Sequence, residues 1–165
     1  MSAIDLGSQQ VDYLTLDQQV CFALGVASRS VISLYRPLLE PLGLTHPQYL
    51  VMVALWQNEP LSVKEISALL QLESPSVSPV LKRLQAAGLI ERHRDAADER
   101  SVRLTLTERG RALRQEASHI PAAMVERLSM SMDELQELRS TLMRVISGAQ
   151  AVEAHRQHTN GAPAD

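Results

Sequence analysis

Between Thr15 and Pro75 the chain repeats one device four times: a short hydroxyl side chain placed just ahead of an apolar stretch, where a helix has to begin. Thr15 with Gln18, Thr45 with Gln48, and Ser62 with Glu65 have the spacing of capping boxes, in which two side chains satisfy each other's backbone N–H groups. Ser74 stands before Pro75, and a proline at a first helical position gives up an N–H that would have no partner there anyway. These starts predict helices from Thr15, over "THPQYLVMVALWQNEP" to before Pro60, over "LSVKEISALLQL", and from Ser74 to Gly88. The first carries Val20, Leu24, Ala27, Val31, Leu34 and Leu38 at helical spacing, and Pro37, Pro41 and Gly43 kink and end it.

The pattern then changes. "LIERH" and "SVRLTL" are short β-prone runs joined by the polar link "RDAADER", which predicts a small hairpin with a mobile tip. Thr107 is placed to cap a long helix through about Ile120, and Ser131 with Glu134 a last one through about Gln150. The tail has little apolar content after Val152 and is expected to be disordered. Neither an internal repeat nor a glycine-rich phosphate loop is present. Three helices followed by a hairpin predict a mainly α fold with a small β-hairpin wing, a winged helix-turn-helix core flanked by N- and C-terminal helices.

Composition limits what such a chain can do. One cysteine in 165 residues permits neither an intrachain disulfide nor a thiolate cluster for a metal, so a reducing cytoplasm is expected and no cofactor is implied. The run "YLVMVALW" is far too short to span a membrane, and "MSAIDLGSQQ" lacks the basic and apolar segments of a signal peptide. The formal net charge is −3, but residues 82–114 hold nine Lys and Arg against five Asp and Glu, a local +4 that leaves −7 elsewhere. One basic region on an acidic body is the footprint of a DNA reader, and by charge alone equally a solvated face.

"LSVKEISALLQLESPSVSPVLKRLQAAGLIERHRDAADERSVRLTLTERG" resembles the DNA-binding core of the MarR family of bacterial regulators, and the likeness extends over about residues 17–146. Its most specific motif is Asp98-x-Arg100 followed by Leu104-Thr105-Leu106-Thr107-x-x-Gly110. In a helix-turn-helix the second helix offers its N-terminal residues to base edges in the major groove. Ser74, Ser76 and Ser78 occupy those positions, and Lys82 and Arg83, later in the helix, suit phosphates. Arg100 near the wing tip suits a narrow minor groove, and Asp98, two residues away, can brace its guanidinium. The bland alternative for Asp98 and Arg100 is a surface ion pair, worth at most about 1 kcal/mol.

Within that family the N-terminal half resembles the OhrR subgroup of organic-hydroperoxide sensors, through "CFAL", "YRPLLEPLGLTHPQYL" and "DERSV". The resemblance implies that Cys21 is the peroxide sensor and that Tyr35 supports it. His46 stands where the subgroup has a second tyrosine and Gly25 where some members have a third. His46 can donate a hydrogen bond as tyrosine does, or be an exposed residue in the first turn of a helix. No second cysteine stands in the C-terminal helices, so the branch of the subgroup that pairs two cysteines between subunits is excluded, and the resemblance implies a sulfenic acid trapped by a low-molecular-weight thiol or as a sulfenamide.

Geometry adds a constraint. Cys21, Gly25, Ser28, Ile32 and Tyr35 share one helical face, but fourteen residues span about 21 Å along a helix. Cys21 and Tyr35 therefore meet only if two first helices pack antiparallel in a homodimer. The expected organisation is a flexible N-terminus (1–14), a dimerisation and sensor helix (15–44), a winged helix-turn-helix (45–110), C-terminal dimerisation helices (107–150) and a disordered tail (151–165). Cys21 is expected just past the first helical turn, where the helix dipole helps little, so tyrosine hydrogen bonds are the better means of stabilising a thiolate. The expected partners are a pseudo-palindromic double-stranded DNA operator, a second copy of the chain and organic hydroperoxides. Two rivals stay open. One is a regulator of the same fold gated by a small aromatic ligand, with Cys21 a buried structural thiol of the common kind. The other is a thiol peroxidase, which the absence of a thioredoxin-like βαβ pattern and of a cation beside Cys21 in the sequence disfavours.

Overall fold

Capping decides where the helices begin, and at the first of them it departs from expectation. In the computed structural model, which describes residues 12–94 and 102–160, Thr15 does not cap. Its hydroxyl turns back to donate to the Asp12 carbonyl at 3.0 Å, and Leu16–Gln18 form a 3₁₀ turn. Helix α1 (Val20–Leu39) starts five residues later than Thr15, with Gln19 as its cap. Cys21 is thus the second residue of α1, inside the first turn rather than past it. The other boxes form as expected. Gln48 accepts from the Thr45 N–H at 2.8 Å at the start of α2 (His46–Asn58). Ser62 N donates to Glu65 at 2.7 Å and Glu65 N to the Ser62 hydroxyl at 3.2 Å at the start of α3 (Val63–Leu70). Helix α4 (Ser74–Ala86) is capped by Glu73, so Ser74 is its first residue rather than its cap. Gly88, at φ +70°, closes it in a left-handed conformation that suits glycine.

The sheet has one strand more than the expected hairpin. β2 (Ile90–Arg94) and β3 (Val102–Leu106) pair antiparallel, Ile90 opposite Leu106 and Arg94 opposite Val102. β1 (Leu61–Ser62) adds to the far side of β3, giving the order β1-β3-β2. Two residues are too few to show the alternation that marks a strand in sequence. Val51, Met52 and Leu55 of α2, Ile66 of α3, Val77, Leu81 and Leu84 of α4, and Ile90, Leu104 and Leu106 of the sheet are buried in one core. Glu59 closes it from the side: its carboxylate accepts from Leu106 N at 2.8 Å and grips Arg111 with two bonds of 2.9 and 3.0 Å.

Thr107 caps α5 (Glu108–Glu116), accepting from Gly110 N at 3.0 Å. The long helix expected through Ile120 is broken by a 3₁₀ turn at Ala117–His119, and α6 (Ile120–Leu128) follows. Pro121 explains the break, because it has no N–H to donate to the preceding turn. The described residues form two compact units, divided after Ile120. In the second, α7 (Met132–Asn160) runs past the expected end at Gln150, so residues 151–160 are helical rather than disordered. Ala151, Glu153, Ala154 and Arg156 are strong helix formers and extend it without needing an apolar face. Among the described residues no helix is long and apolar enough to cross a membrane.

Candidate DNA interface and thiol site

Helices α3 and α4 and the turn between them are a helix-turn-helix. Val77, Leu81 and Leu84 bury one face of α4, which turns Ser76, Pro79, Lys82 and Arg83 to the solvent on the other. The three serines, equivalent in sequence, are not equivalent in place. Ser74 Oγ lies 3.3 Å from the hydroxyl of buried Ser67 and links the two helices, and the Ser78 hydroxyl donates to the Ser74 carbonyl at 3.0 Å. Only Ser76 has neither commitment among the hydrogen bonds found.

In the wing, Arg92 and Arg94 are exposed and share one face of β2, a feature that the alternation of "IERHR" could have supplied. Arg103 instead reaches Glu65 at 2.6 Å and ties the wing to α3. Hydrogen bonds from Ser62 first, and then this guanidinium, hold the Glu65 carboxyl below its ordinary range. The basic region is thus divided: Arg103 and Arg111 serve the fold, while Lys82, Arg83, Arg92 and Arg94 line its outside. Asp98 and Arg100 lie outside the described residues.

Cys21 is exposed near the N-terminus of α1. One turn on, an added Cβ at Gly25 would sit 3.4 Å from Arg29 Nη1, so the Arg29 guanidinium folds back along α1 to Gly25, a placement not foreseen from sequence. Tyr35, near the far end of α1, does not meet Cys21 within the subunit. It packs instead at a tilt against His46, with ring centroids 5.0 Å apart, and against Tyr49 at 5.9 Å. Tyr49 in turn meets Trp56 edge-on at 6.3 Å, and Trp56 Nε1–H donates to the Gly110 carbonyl at 2.8 Å.

His46 is therefore half-buried against a ring rather than an exposed first-turn residue, and burial pushes its pKa down. The unfolded chain binds that proton more tightly, so the stability that neutral His46 brings is present above the ordinary histidine value and is lost as pH falls. Burial raises the phenol of Tyr35, and burial together with Tyr35 raises that of Tyr49, keeping both as O–H donors into alkaline solution. Beside His46 lies a pocket of about 510 Å³, walled by Ile32, Leu39, Leu44 and Pro47, with Arg36 at its edge.

A helix-turn-helix with exposed cations beside a three-stranded wing defines a winged-helix DNA-binding protein. The MarR family pattern matches residues 44–102. The organic hydroperoxide resistance transcriptional regulator of Bacillus subtilis (strain 168) is 40% identical over 135 residues, 82% of this chain and 92% of its own length. Among solved structures, reduced AbfR bound to DNA superposes with a TM-score of 0.67 at 29% identity, over 81% of this chain and 93% of that one. The repressor CouR bound to a 23-mer DNA duplex gives 0.74 at 27% identity, over 84% and 99%. The chain belongs to the MarR family: it is a DNA-binding transcriptional regulator, not an enzyme.

Proposed function

We propose that this regulator is a cytoplasmic, dimeric repressor that leaves its operator when an organic hydroperoxide oxidises Cys21. The observation that carries the reading is the pairing of Tyr35 with His46 at the opposite end of α1 from Cys21. Two antiparallel copies of α1 bring each thiol to the other subunit's Tyr35 and His46, whose burial favours the neutral, hydrogen-bond-donating form of each. The likeness to the Bacillus subtilis hydroperoxide regulator supports the same assignment. The Cys21 thiolate attacks the distal peroxide oxygen, the O–O bond breaks, an alkoxide leaves and takes a proton from water to become the alcohol, and the sulfur becomes a sulfenic acid. A small thiol then attacks that sulfur and expels water, leaving a mixed disulfide whose bulk strains the interface. Operator release by cumene hydroperoxide, with Cys21→Ser as the control, tests the reading.

Dimerisation is supported by what α1 leaves uncovered. Only Leu39 of its twenty residues is buried, while Val20, Phe22, Val26 and Ile32 are exposed. Ile32→Asp, on the face shared by Cys21 and Tyr35, is expected to shift sedimentation toward the monomer and to weaken operator binding, because half-sites about 34–36 Å apart need two linked recognition helices. A stable wild-type monomer that binds one operator tightly would remove this interface.

At the DNA, Ser74, Ser76 and Ser78 are assigned to the major groove, with Ser76 the most available. Lys82 and Arg83 are assigned to phosphates, and Arg100, braced by Asp98, to the minor groove. Affinity should fall by about 10³–10⁵ between 50 and 200 mM salt if some 6–10 phosphates are neutralised. Arg100→Ala should weaken binding more than Arg139→Ala on α7, and equal losses would argue against the wing assignment.

The pocket beside His46 favours a second reading, in which a small aromatic molecule fills it and Cys21 is structural. That regulator would respond to its ligand unchanged in Cys21→Ser.

A further inference from the structure

Three of the chain's five aromatic side chains, its single tryptophan among them, stand in one row with His46. The row follows α2 through His46, Tyr49 and Trp56, and Tyr35 of α1 touches both of the first two. One end borders the 510 Å³ pocket. The other is fastened by Trp56 Nε1–H to the Gly110 carbonyl. Gly110 stands at the root of the wing. Its N–H is held by the Thr107 hydroxyl, which itself donates to the Gly88 carbonyl at 2.7 Å, and Thr107 N donates to Leu89 at 3.1 Å. These bonds join the point where the chain enters β2 to the point where it leaves β3.

We propose that the His46–Tyr35–Tyr49–Trp56 row is the element that couples the α1–α2 site to the wing, with Trp56 as the positioning residue at its output. Flat rings in close contact have few alternative packings, so displacement of the His46 ring passes to its neighbours instead of being absorbed. The last ring cannot turn without moving its hydrogen bond to Gly110, and with it the strand ends that aim the wing. The inference rests on the reading that the regulatory signal arises at the α1–α2 site, whether as oxidation or as a bound ligand.

The test needs no effector. His46 and Trp56 are ten residues apart on α2, about 15 Å along its axis, a separation at which substitutions normally act independently. Operator affinity is measured for the reduced wild type, His46→Ala, Trp56→Phe and the double variant. Trp56→Phe keeps a ring and removes the N–H. The relay predicts that His46→Ala changes affinity and that the change is lost in the Trp56→Phe background, a departure from additivity of about threefold or more. Additive effects, or no effect of His46→Ala, overturn it. Should Trp56→Phe fail to fold, the emission of the only tryptophan serves instead. It should shift in His46→Ala and not when Tyr49→Leu is added, and an unshifted emission in His46→Ala overturns the relay. A wild type deaf to hydroperoxide, or a Cys21→Ser protein that still responds, would sink peroxide sensing without altering either result.

Discussion

Cys21→Ser is expected to hold the operator as the wild type does and to stay bound when cumene hydroperoxide is added. Serine is close to cysteine in shape and is accommodated at the second position of α1, yet it has no oxidation states to climb. The reduced form should therefore be preserved and only the response removed, an all-or-none effect in an operator-binding assay. Tyr35→Phe separates the thiol from its support. It keeps the ring that packs on His46 and Tyr49 and removes only the hydroxyl. A hydrogen bond to a charged group is worth about 1.5–3 kcal/mol, so its loss leaves roughly ten- to a hundred-fold less thiolate at neutral pH. A more basic thiolate is also the better nucleophile, so the oxidation rate should fall by less than the thiolate population. Release of Cys21→Ser by peroxide at the wild-type dose would promote the small-ligand reading. An unslowed oxidation in Tyr35→Phe would move the supporting role to His46 or to Arg29, whose guanidinium lies over Gly25.

The parts of this molecule legible in its sequence are those decided by local chemistry. The pairs Thr45–Gln48, Ser62–Glu65 and Ser131–Glu134 can satisfy orphan N–H groups only at a helix start, and each does so. Thr15 with Gln18 has the same spacing but not the outcome, because Asp12 offers the Thr15 hydroxyl a competing carbonyl. The identity of Thr107 and Gly110 as a motif could be read, but its reason could not. The reason is the approach of Gly110 to Leu89, a contact across twenty-one residues. The aromatic row was only half legible for a similar cause. Tyr35 and His46 are marked by resemblance, whereas Tyr49 and Trp56 join them through the packing of α1 on α2 and a bond to Gly110. Charge was the least legible. Nothing in the composition of residues 82–114 distinguishes Arg111, which grips Glu59, from Arg92, which faces solvent.

Gly110→Ala is expected to cost far more stability than Gly25→Ala, which is its internal control. A Cβ at Gly110 would stand 2.1 Å from the Leu89 carbonyl oxygen and 3.1 Å from its carbon, so the obstructing atoms are backbone. To make room, the first turn of α5 must draw away from the start of β2. That movement strains the Thr107 N to Leu89 bond of 3.1 Å and the Trp56 to Gly110 bond of 2.8 Å together. Forcing a methyl into a filled site costs about 1–3 kcal/mol, and each weakened hydrogen bond about 0.5–1.5 kcal/mol. Alanine returns up to about 1 kcal/mol through its helix propensity, for a net loss of about 3 kcal/mol. For a chain of this size that lowers the melting temperature by about 6–12 °C. At Gly25 the nearest obstacle is the far end of the Arg29 side chain, 3.4 Å away and free to move aside. Within the subunit only the propensity gain applies there, so Gly25→Ala should stay within about 1 kcal/mol of the wild type and melt well above Gly110→Ala. Thermal unfolding of the two variants side by side reads the difference, and a Gly110→Ala protein as stable as Gly25→Ala would refute the close contact at the root of the wing.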